Sequence, residues 1–202
     1  MSKVFSAHAV SVDGYISGRD PSDGTGGFGR GLGDARMLFE WYFNGDTPSE
    51  LFSAFRLSEA SARVFDALAA RVGAVVAGRA TYEHSSHWGG GSPHPTAPLF
   101  VLSHQAAPEI TGRQTLITTG IEDAIAAARQ AAGDRDVGLM GGGVATAALA
   151  AGLVDELILH QVPILLGGGQ AFFRALPEHV KLNLIEAIPA PGVMHLHYQV
   201  LR

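Results

Sequence analysis

A triple glycine, Gly141–Gly143, stands directly between a strand-like segment, Val137–Met140, and an alanine-rich helical segment, Val144–Ala151. The first backbone N–H groups of a helix have no intrahelical partner, and the positive end of the helix dipole lies at the same place. A strand, a glycine turn and a helix start in this order are typical of a phosphate site. The alternative is a tight turn whose glycines only allow close helix–sheet packing.

Two further strand-like segments end in polar residues. Arg79 and Thr81 follow the apolar run VGAVVA, and Ser103 and His104 follow the run LFVL. Ligands of α/β proteins collect at the carboxyl ends of strands, and an arginine can contact a phosphate with two hydrogen bonds. These residues are therefore candidate phosphate ligands. The alternatives are a surface arginine at the start of a helix and an ordinary turn.

Other motifs argue against several enzyme classes. Gly24–Gly29 spells GxGxxG, but no strand ends before it and no helix follows, so a Rossmann site is not predicted. The chain has no GxSxG, HExxH or GxxxxGK[ST] motif, which removes support for serine hydrolases, zincins and P-loop NTPases. His84, His87 and His94 lack an accompanying set of carboxylates, so no metal site is predicted.

The composition narrows the choice further. The 202 residues are 47% hydrophobic and 16% charged, with a net charge of −5 and no cysteine. An intrinsically disordered chain, a disulfide scaffold, a thiol nucleophile and a thiolate metal site are excluded, and nothing suggests nucleic-acid binding. No apolar run approaches the roughly 20 residues that cross a bilayer, and the first residues do not resemble a signal peptide. We expect a soluble cytoplasmic protein.

The elements that must position these residues alternate between strands and helices. The predicted strands are Val4–Val12, Val72–Ala77, Leu99–Leu102, Gln114–Thr118, Val137–Met140, Leu157–Leu166 and His195–Leu201, and the last, which alternates, suits an edge or half-exposed antiparallel strand. The predicted helices start after an N-cap at Ser58, at Glu122 and at Val144, the last ending before Gly152. This order predicts one α/β domain, residues 1–202, with helices on both faces of a sheet.

One long segment, Ser17–Gly33, is too polar and glycine-rich for a core. A loop of this length in a compact domain is usually a functional lid or disordered. We expect a lid over an active site, with an ordered insertion as the alternative.

The motifs in their order carry a family resemblance over about Val4 to Leu201. They are Ser11–Ile16 (SVDGYI), Gly78–Tyr82 (GRATY), Phe100–Ser103 (FVLS), Ile121–Ile125 (IEDAI), Met140–Gly143 (MGGG), Val154–Leu157 (VDEL) and Pro163–Gly167 (PILLG). In this series the chain resembles the dihydrofolate reductase superfamily. It more closely resembles the reductase domain of bifunctional riboflavin-pathway deaminase-reductases and their stand-alone relatives. The deaminase zinc motif is missing, so only the reductase half is resembled.

The resemblance implies a three-layer fold: a mixed, mostly parallel central sheet with an antiparallel C-terminal hairpin and helices on both faces. It also implies NADPH as cofactor. The triple glycine and following helix would hold the pyrophosphate, Arg79 and Thr81 the adenosine-side phosphates, and Ser103 with His104 the 2′-phosphate. The cofactor-binding residues implied are Ala9 and Ile16 beside the nicotinamide, with Gly78, Arg79, Thr81, Leu102, Ser103, His104, Met140, Gly141, Gly142, Gly143, Val144 and Ala145.

The substrate side matches the family less closely. Dihydrofolate reductase has a carboxylate on its first helix, and here the equivalent segment, DARMLFEWYFNG, offers Asp34 and Glu40, neither at the expected offset. His160 occupies a strand position that faces the substrate pocket in the family, and histidine titrates near neutral pH. The candidate catalytic residues are therefore His160, Glu40 and Asp34.

The candidate substrate-binding residues are Asp13, Trp41, His84 and Ser85. Trp41 is expected either to stack on a flat heterocycle or to lie in the core. The departure on the first helix argues against folate reduction itself.

The resemblance implies an NADPH-dependent reductase of a small heterocyclic (pyrimidine- or pteridine-like) or carbonyl compound, such as the ribosylaminouracil phosphate of the riboflavin pathway. No extra basic cluster for that substrate's phosphate is evident. The alternative is a non-catalytic NADP(H)-binding sensor or interaction module. A homodimer is expected, since relatives of this shape often dimerise.

Overall fold

The computed structural model describes residues 2–19, 34–105 and 110–201. Its strands are β1 (Val4–Ser11), β2 (Tyr15–Ser17), β3 (Thr47–Pro48), β4 (Arg56–Leu57), β5 (Val72–Gly78), β6 (Leu99–Leu102), β7 (Gln114–Ile117), β8 (Asp136–Met140), β9 (Glu156–Val162), β10 (Gln170–Ala171), β11 (Lys181–Ala190) and β12 (Val193–Leu201). Its α-helices are α1 (Glu59–Arg71), α2 (Arg79–His84), α3 (Ile121–Ala132) and α4 (Gly142–Ala150), and two 3₁₀ helices span Arg36–Tyr42 and Ser86–Gly90.

Eight strands form the central sheet in the order β11-β12-β9-β1-β8-β5-β6-β7. The six strands from β9 to β7 run parallel, whereas β12 is antiparallel to both β9 and β11. Two small sheets, β10-β2 and β3-β4, lie beside it. The mixed sheet and its antiparallel C-terminal hairpin confirm the predicted fold class.

Helices cover both faces of the sheet because successive side chains of a strand point to opposite faces. On β1, Val4 packs with α3 and α4, whereas Ala9 packs with the first 3₁₀ helix and α1. At the amino end of the strands, Arg71 of α1 binds Asp136 and Glu156 at 2.7 Å. These two ion pairs attach α1 to β8 and β9.

The helix ends agree closely with the sequence. The Ser58 side chain accepts a hydrogen bond from the backbone N–H of Ser61, as an N-cap does. Glu122 lies in the first turn of α3, where a negative charge favours the helix dipole. Gly152 follows α4 with a φ of +65°, which glycine adopts without strain.

One expectation about the elements is wrong. The strand that starts near Leu157 ends at Val162 and not at Leu166, because Pro163 has no N–H for the ladder and Ile164 donates back to Val162 at 2.8 Å. The segment DARMLFEWYFNG forms a 3₁₀ helix, Arg36–Tyr42. The last strand, β12, is the half-exposed antiparallel strand of the two alternatives and not an edge strand, because β11 pairs with its outer side.

The strand that the sequence analysis missed, β11, is irregular. Its pairing with β12 shifts register between Leu184 and Glu186, so the period-2 pattern breaks in the middle. Lys181 to Ala187 are all exposed. Neither of the usual signals of a strand, alternation or a buried apolar run, is present.

Most of the predicted lid, Ser17–Gly33, lies outside the described residues. Its described start is attached to the body of the protein, since Ser17 pairs with Gln170 and the Arg19 guanidinium donates to the Gly167 carbonyl at 2.7 Å. Among the described residues, no helix has the length and apolar character needed to cross a membrane.

The junction between β8 and α4 requires glycine for space. A Cβ on Gly142 would lie 2.4 Å from the Phe172 carbonyl oxygen, an impossible contact with backbone. We expect Gly142→Ala to lower the free energy of unfolding by about 1–3 kcal/mol, measured by urea denaturation.

Gly138→Ala, on β8, is the matched control. Its Cβ would meet Val72 at an ordinary 3.7 Å, so stability should stay the same or rise by up to about 1 kcal/mol. Equal losses in the two variants would contradict the close-approach explanation.

Candidate functional site

The three predicted phosphate segments meet at one edge of the sheet. Ala77 of β5 pairs with Met140 of β8, and Gly78 of β5 pairs with Leu102 of β6. The strands are parallel neighbours, so the residues that follow them, Gly141, Arg79 and Ser103, emerge side by side. The structure thus brings together three segments that are far apart in sequence.

The start of α4 is a narrow turn against α2. Gly141 has a φ of +100°, and a Cβ there would lie 2.3 Å from the Thr81 hydroxyl oxygen. A Cβ on Gly78 would touch Val144 at 3.2 Å. Both observations place the backbone of α4 against the strand end that carries Arg79. Val144 and Ala145 themselves are buried and face the core.

No side chain of the described residues caps the α4 N-terminus. Ala145 donates to the Gly141 carbonyl, whereas the preceding amides of the first turn have no acceptor within the helix. The Arg174 guanidinium lies 3.7 Å from the position that a Cβ of Gly143 would take. The backbone N–H of Arg174 donates to the Thr146 hydroxyl oxygen at 3.1 Å. A guanidinium beside the positive end of a helix dipole is unfavourable unless an anion binds between them. This cradle of glycine backbone N–H groups, the positive end of the helix dipole and the Arg174 guanidinium fits a diphosphate.

Arg174 was not predicted as a site residue from the sequence. It lies 31 residues after Gly143, with only a two-residue strand, β10, shortly before it, and no motif points to it. No signal in the sequence would have found it, because only the fold brings Phe172, two residues before Arg174, against the start of α4.

Arg79 and Ser103 meet through Gln105. The Arg79 guanidinium donates to the Gln105 side-chain oxygen at 3.0 Å and to Glu83 at 2.6 Å. The Ser103 hydroxyl donates to the Gln105 carbonyl at 2.7 Å and accepts from its N–H at 3.2 Å. His104, between them, is exposed. A phosphate that binds here would take the place of the Gln105 amide oxygen and the Glu83 carboxylate as hydrogen-bond acceptor of Arg79.

A histidine of β1 supports the glycine turn and was also missed. His8 Nε2 accepts a hydrogen bond from the Gly141 N–H at 2.8 Å, and His8 Nδ1 lies 3.1 Å from the Ser6 hydroxyl. Burial lowers the pKa of His8 to about 4. The imidazole is therefore neutral near pH 7 and can accept this bond.

The two residues predicted beside a nicotinamide lie on different sides of β1. Ala9 belongs to the cluster of Leu38 and Trp41, and Ile16 packs with Val10 and Phe172. Both are near the carboxyl end of β1, next to the β8 end that carries Met140. Their role at a nicotinamide stays a prediction.

On the α1 side of the sheet, a second group of polar residues is buried. His160 stands opposite Ala9 in register, and its Nδ1 lies 2.8 Å from Nδ1 of His195, another residue that the sequence analysis missed. The Trp41 ring lies 5.0 and 5.1 Å from the two imidazoles. Trp41 is 1% exposed, so its ring packs in the core and presents no free face for stacking on a heterocycle.

The other candidate catalytic and substrate residues lie elsewhere. Asp34 is exposed and accepts the Arg19 N–H at 3.0 Å, and Glu40 is exposed on the first 3₁₀ helix. His84 and Ser85 are half-buried at the end of α2.

Asp13 joins the β1–β2 turn to the loop after β9. It accepts hydrogen bonds from the Ser11 hydroxyl at 2.6 Å and from the backbone N–H groups of Leu166 and Gly167. These bonds, the Ser11 bond first, lower the pKa of Asp13. Within the described part of the chain, no group of three or more histidine, aspartate or glutamate residues could hold a metal ion.

Comparisons with known proteins point in one direction. The profile of the RibD C-terminal domain matches residues 2–194. A search of curated proteins returns no match.

Three solved structures are similar over nearly the whole chain. A protein from Shewanella sp. PV-4 described as a riboflavin biosynthesis protein is 25% identical, with a TM-score of 0.70 and 100% of both chains covered. A pyrimidine reductase-like protein from Corynebacterium diphtheriae is 15% identical, with a TM-score of 0.63 and coverage of 100% and 92%. Dihydrofolate reductase from Enterococcus faecalis, complexed with NADP(H), is 14% identical, with a TM-score of 0.57 and coverage of 99% and 97%.

The low pKa of His8 predicts that the stability of the protein depends on pH. Between pH 4 and 6.5 the unfolded chain binds a proton on this residue that the folded protein does not bind, so acid favours unfolding. The contribution of His8 to the free energy of unfolding is fully present above pH 6.5 and is lost as the pH falls below that value. From pH 7 to pH 5 we expect His8 to account for a loss of about 2 kcal/mol, measured by urea denaturation.

In His8→Gln this share of the pH dependence should disappear. The exposed His104→Gln is the control and should keep the wild-type slope. An unchanged slope in His8→Gln would show that His8 is not the buried neutral acceptor of the Gly141 N–H.

Proposed function

We propose that this chain, which belongs to the RibD C-terminal domain family, is an NADPH-dependent reductase of a small heterocyclic or carbonyl compound. The observation that carries the proposal is the shared edge formed by the ends of β8, β5 and β6. Family membership supports reductase chemistry of the riboflavin-pathway type. Pyrimidine- and pteridine-like compounds, among them a ribosylaminouracil phosphate, are the substrates we propose to test first.

The residues at the edge fit the parts of an extended dinucleotide. The uncapped start of α4, together with Arg174, offers N–H donors and positive charge for the diphosphate. Arg79, beside Ser103, is assigned to the 2′-phosphate. A phosphate dianion is a better acceptor for the Arg79 guanidinium than the side-chain amide oxygen of Gln105, to which Arg79 donates in this structure. NADPH would supply the hydride. The chain's own contribution is to orient the coenzyme and exclude water from the reacting atoms.

Asp34 and Glu40 are both exposed, and within the described residues neither forms a hydrogen bond with His160. We therefore place the substrate near Ala9 and His160, under the first 3₁₀ helix, and assign no carboxylate as proton donor. The cytoplasmic location expected from the sequence stays a prediction.

Coenzyme binding is the first test. A ligand that binds only the folded state at about 100 times its Kd adds about 2.7 kcal/mol of stability. We expect NADPH to raise the Tm and NADH to raise it less. Oxidation of NADPH at 340 nm by a panel of pteridines, pyrimidines and quinones then separates an enzyme from a non-catalytic sensor. No shift with either coenzyme would contradict both.

Two arginine variants separate the proposed phosphate contacts. Arg79→Ala should weaken NADPH binding by about 10-fold or more and leave NADH binding nearly unchanged, since charged hydrogen bonds contribute about 1.5–3 kcal/mol. Arg174→Ala should weaken both coenzymes equally, because both carry the diphosphate. Isothermal titration calorimetry measures the four ratios. Equal losses of NADPH and NADH in Arg79→Ala would remove Arg79 from the 2′-phosphate.

We also propose that the protein is a homodimer that pairs through β11. This ten-residue strand is the outer edge of the sheet, and Leu182, Leu184 and Ile185 on it are 40–52% exposed. A long apolar edge strand left open is prone to pair with another chain. Beside it, a groove of about 500 Å³ lined by Val64, Leu68 and Ile188, among others, runs between α1 and the β11–β12 hairpin.

Sedimentation velocity tests the dimer. We expect a dimer for the wild type and a monomer for Leu184→Lys, because a charge on the pairing edge opposes association. His104→Lys, which adds a similar charge at the coenzyme edge, is the control and should stay dimeric. A monomeric wild type would contradict the proposal.

A further inference from the structure

Two histidine rings are buried on the α1 side of the sheet, away from the phosphate edge. His160 of β9 and His195 of β12 are opposite each other in register, and each is 2% exposed. Their Nδ1 atoms are 2.8 Å apart. A bond of this length between two imidazole nitrogens needs one proton, so one ring donates and the other accepts.

Serine hydroxyls of α1 continue this contact. The Ser61 hydroxyl lies 3.0 Å from His195 Nε2 and is buried. The Ser58 hydroxyl, which accepts the Ser61 N–H as the helix N-cap, donates to the Ser61 hydroxyl at 3.0 Å. A single line of hydrogen bonds therefore leads from the start of α1 to His160.

The donor sequence in this line determines the tautomers. If Ser58 donates to Ser61, the Ser61 proton is directed to His195 Nε2, and His195 then carries its own proton on Nδ1. The Nδ1–H group of His195 then donates a hydrogen bond to His160 Nδ1. The proton of the neutral His160 ring is therefore on Nε2. Burial keeps both rings neutral, since it lowers the pKa of His195 to about 4 and that of His160 well below its ordinary value.

Two N–H donors at this place have no acceptor within the described residues. The indole N–H of Trp41 is fully buried. Nε2 of His160 is not among the fully buried unpaired atoms, but it makes no hydrogen bond to a described residue. Buried donors in proteins are nearly always paired, and unpaired ones suggest a missing partner. His160 stands opposite Ala9, where we place the substrate.

We propose that Ser61 and His195 are positioning residues that fix His160 as the Nε2–H tautomer. His160 and Trp41 then donate hydrogen bonds to an acceptor of the substrate, a ring carbonyl oxygen or an imine nitrogen conjugated to the carbon that is reduced. This assignment rests on the proposed function. It narrows the substrate to compounds with such an acceptor.

The reaction balances without ionisation of His160. NADPH would supply the hydride: one C–H bond of its dihydronicotinamide would break as the coenzyme is oxidised, a C–H bond would form at the substrate carbon, and the substrate's π-electron pair would move to the acceptor atom. Preorganised N–H donors stabilise the negative charge that develops there. A proton from water completes the product, and His160 keeps its own proton.

The tautomers can be observed without coenzyme or substrate. Long-range ¹H–¹⁵N spectra of histidine-labelled protein at pH 7 should show His160 protonated on Nε2 and His195 on Nδ1. In Ser61→Ala, His195 Nε2 loses the hydrogen bond that it accepts from the Ser61 hydroxyl, and we expect the tautomers of both rings to become mixed. Ser61→Thr, which keeps the hydroxyl, should restore the wild-type pattern.

Ser49→Ala is the matched control. It removes another buried hydroxyl, which donates a hydrogen bond of 2.5 Å to the Asp66 carboxylate on α1. This hydroxyl does not belong to the line of hydrogen bonds that leads to His160. Its histidine spectrum should be that of the wild type. A wild-type His160 protonated on Nδ1, or tautomers that ignore Ser61→Ala, would overturn the positioning role whether or not NADPH binds.

Turnover gives the second readout. With a substrate from the reductase panel, Ser61→Ala should lower kcat about 10-fold and leave the KM for NADPH unchanged, and Ser61→Thr should recover most of kcat. An unchanged kcat in Ser61→Ala would overturn the assignment. If NADPH does not bind at all, the proposed function fails and the acceptor role of the substrate fails with it, whereas the tautomer spectra still decide what Ser61 and His195 do.

Discussion

The register of three parallel strands is the constraint on which the rest of the site depends. The pairing of Ala77 with Met140 and of Gly78 with Leu102 fixes where β8, β5 and β6 end relative to one another. A shift of one residue would turn every side chain of a strand to the other face and separate the polar segments that follow. The His8–Gly141 hydrogen bond extends the same register to β1. Glycine at 141 and 142 then lets α4 start against Thr81 and the Phe172 carbonyl.

The carboxyl edge of the sheet and its α1 face carry different groups. The carboxyl ends of β8, β5 and β6 gather backbone N–H groups and guanidinium groups, which suits the phosphates of a coenzyme. The α1 side of β9 and β12 instead buries neutral donors, His160 and Trp41, in a cluster of apolar and aromatic side chains. Neutral donors in a dry environment suit a reacting carbonyl or imine better than an anion. β1 lies between the two regions, because it pairs with both β8 and β9.

Local features were predictable from the sequence, whereas contacts between distant segments were not. The Ser58 N-cap, the glycine turn before α4 and the buried strands β5 and β6 each depend on a few neighbouring residues. His195 and Arg174 act through partners more than 25 residues away, and no local pattern marks them. β11 was missed because its bulge breaks the alternation and its side chains are exposed. The helical segment around Trp41 is a 3₁₀ helix with no side-chain cap at its start, and propensity alone does not distinguish it from an α-helix.

The most direct measurement of the central claim is a titration of ¹⁵N-labelled protein with NADPH, followed through the backbone amide resonances. If the strand ends form one coenzyme site, the largest shifts will be at Gly142 and Gly143, with further shifts near Arg79 and Ser103, and β11 will remain unchanged. Shifts confined to one of these segments, or centred on the groove between α1 and the C-terminal hairpin, would contradict the account.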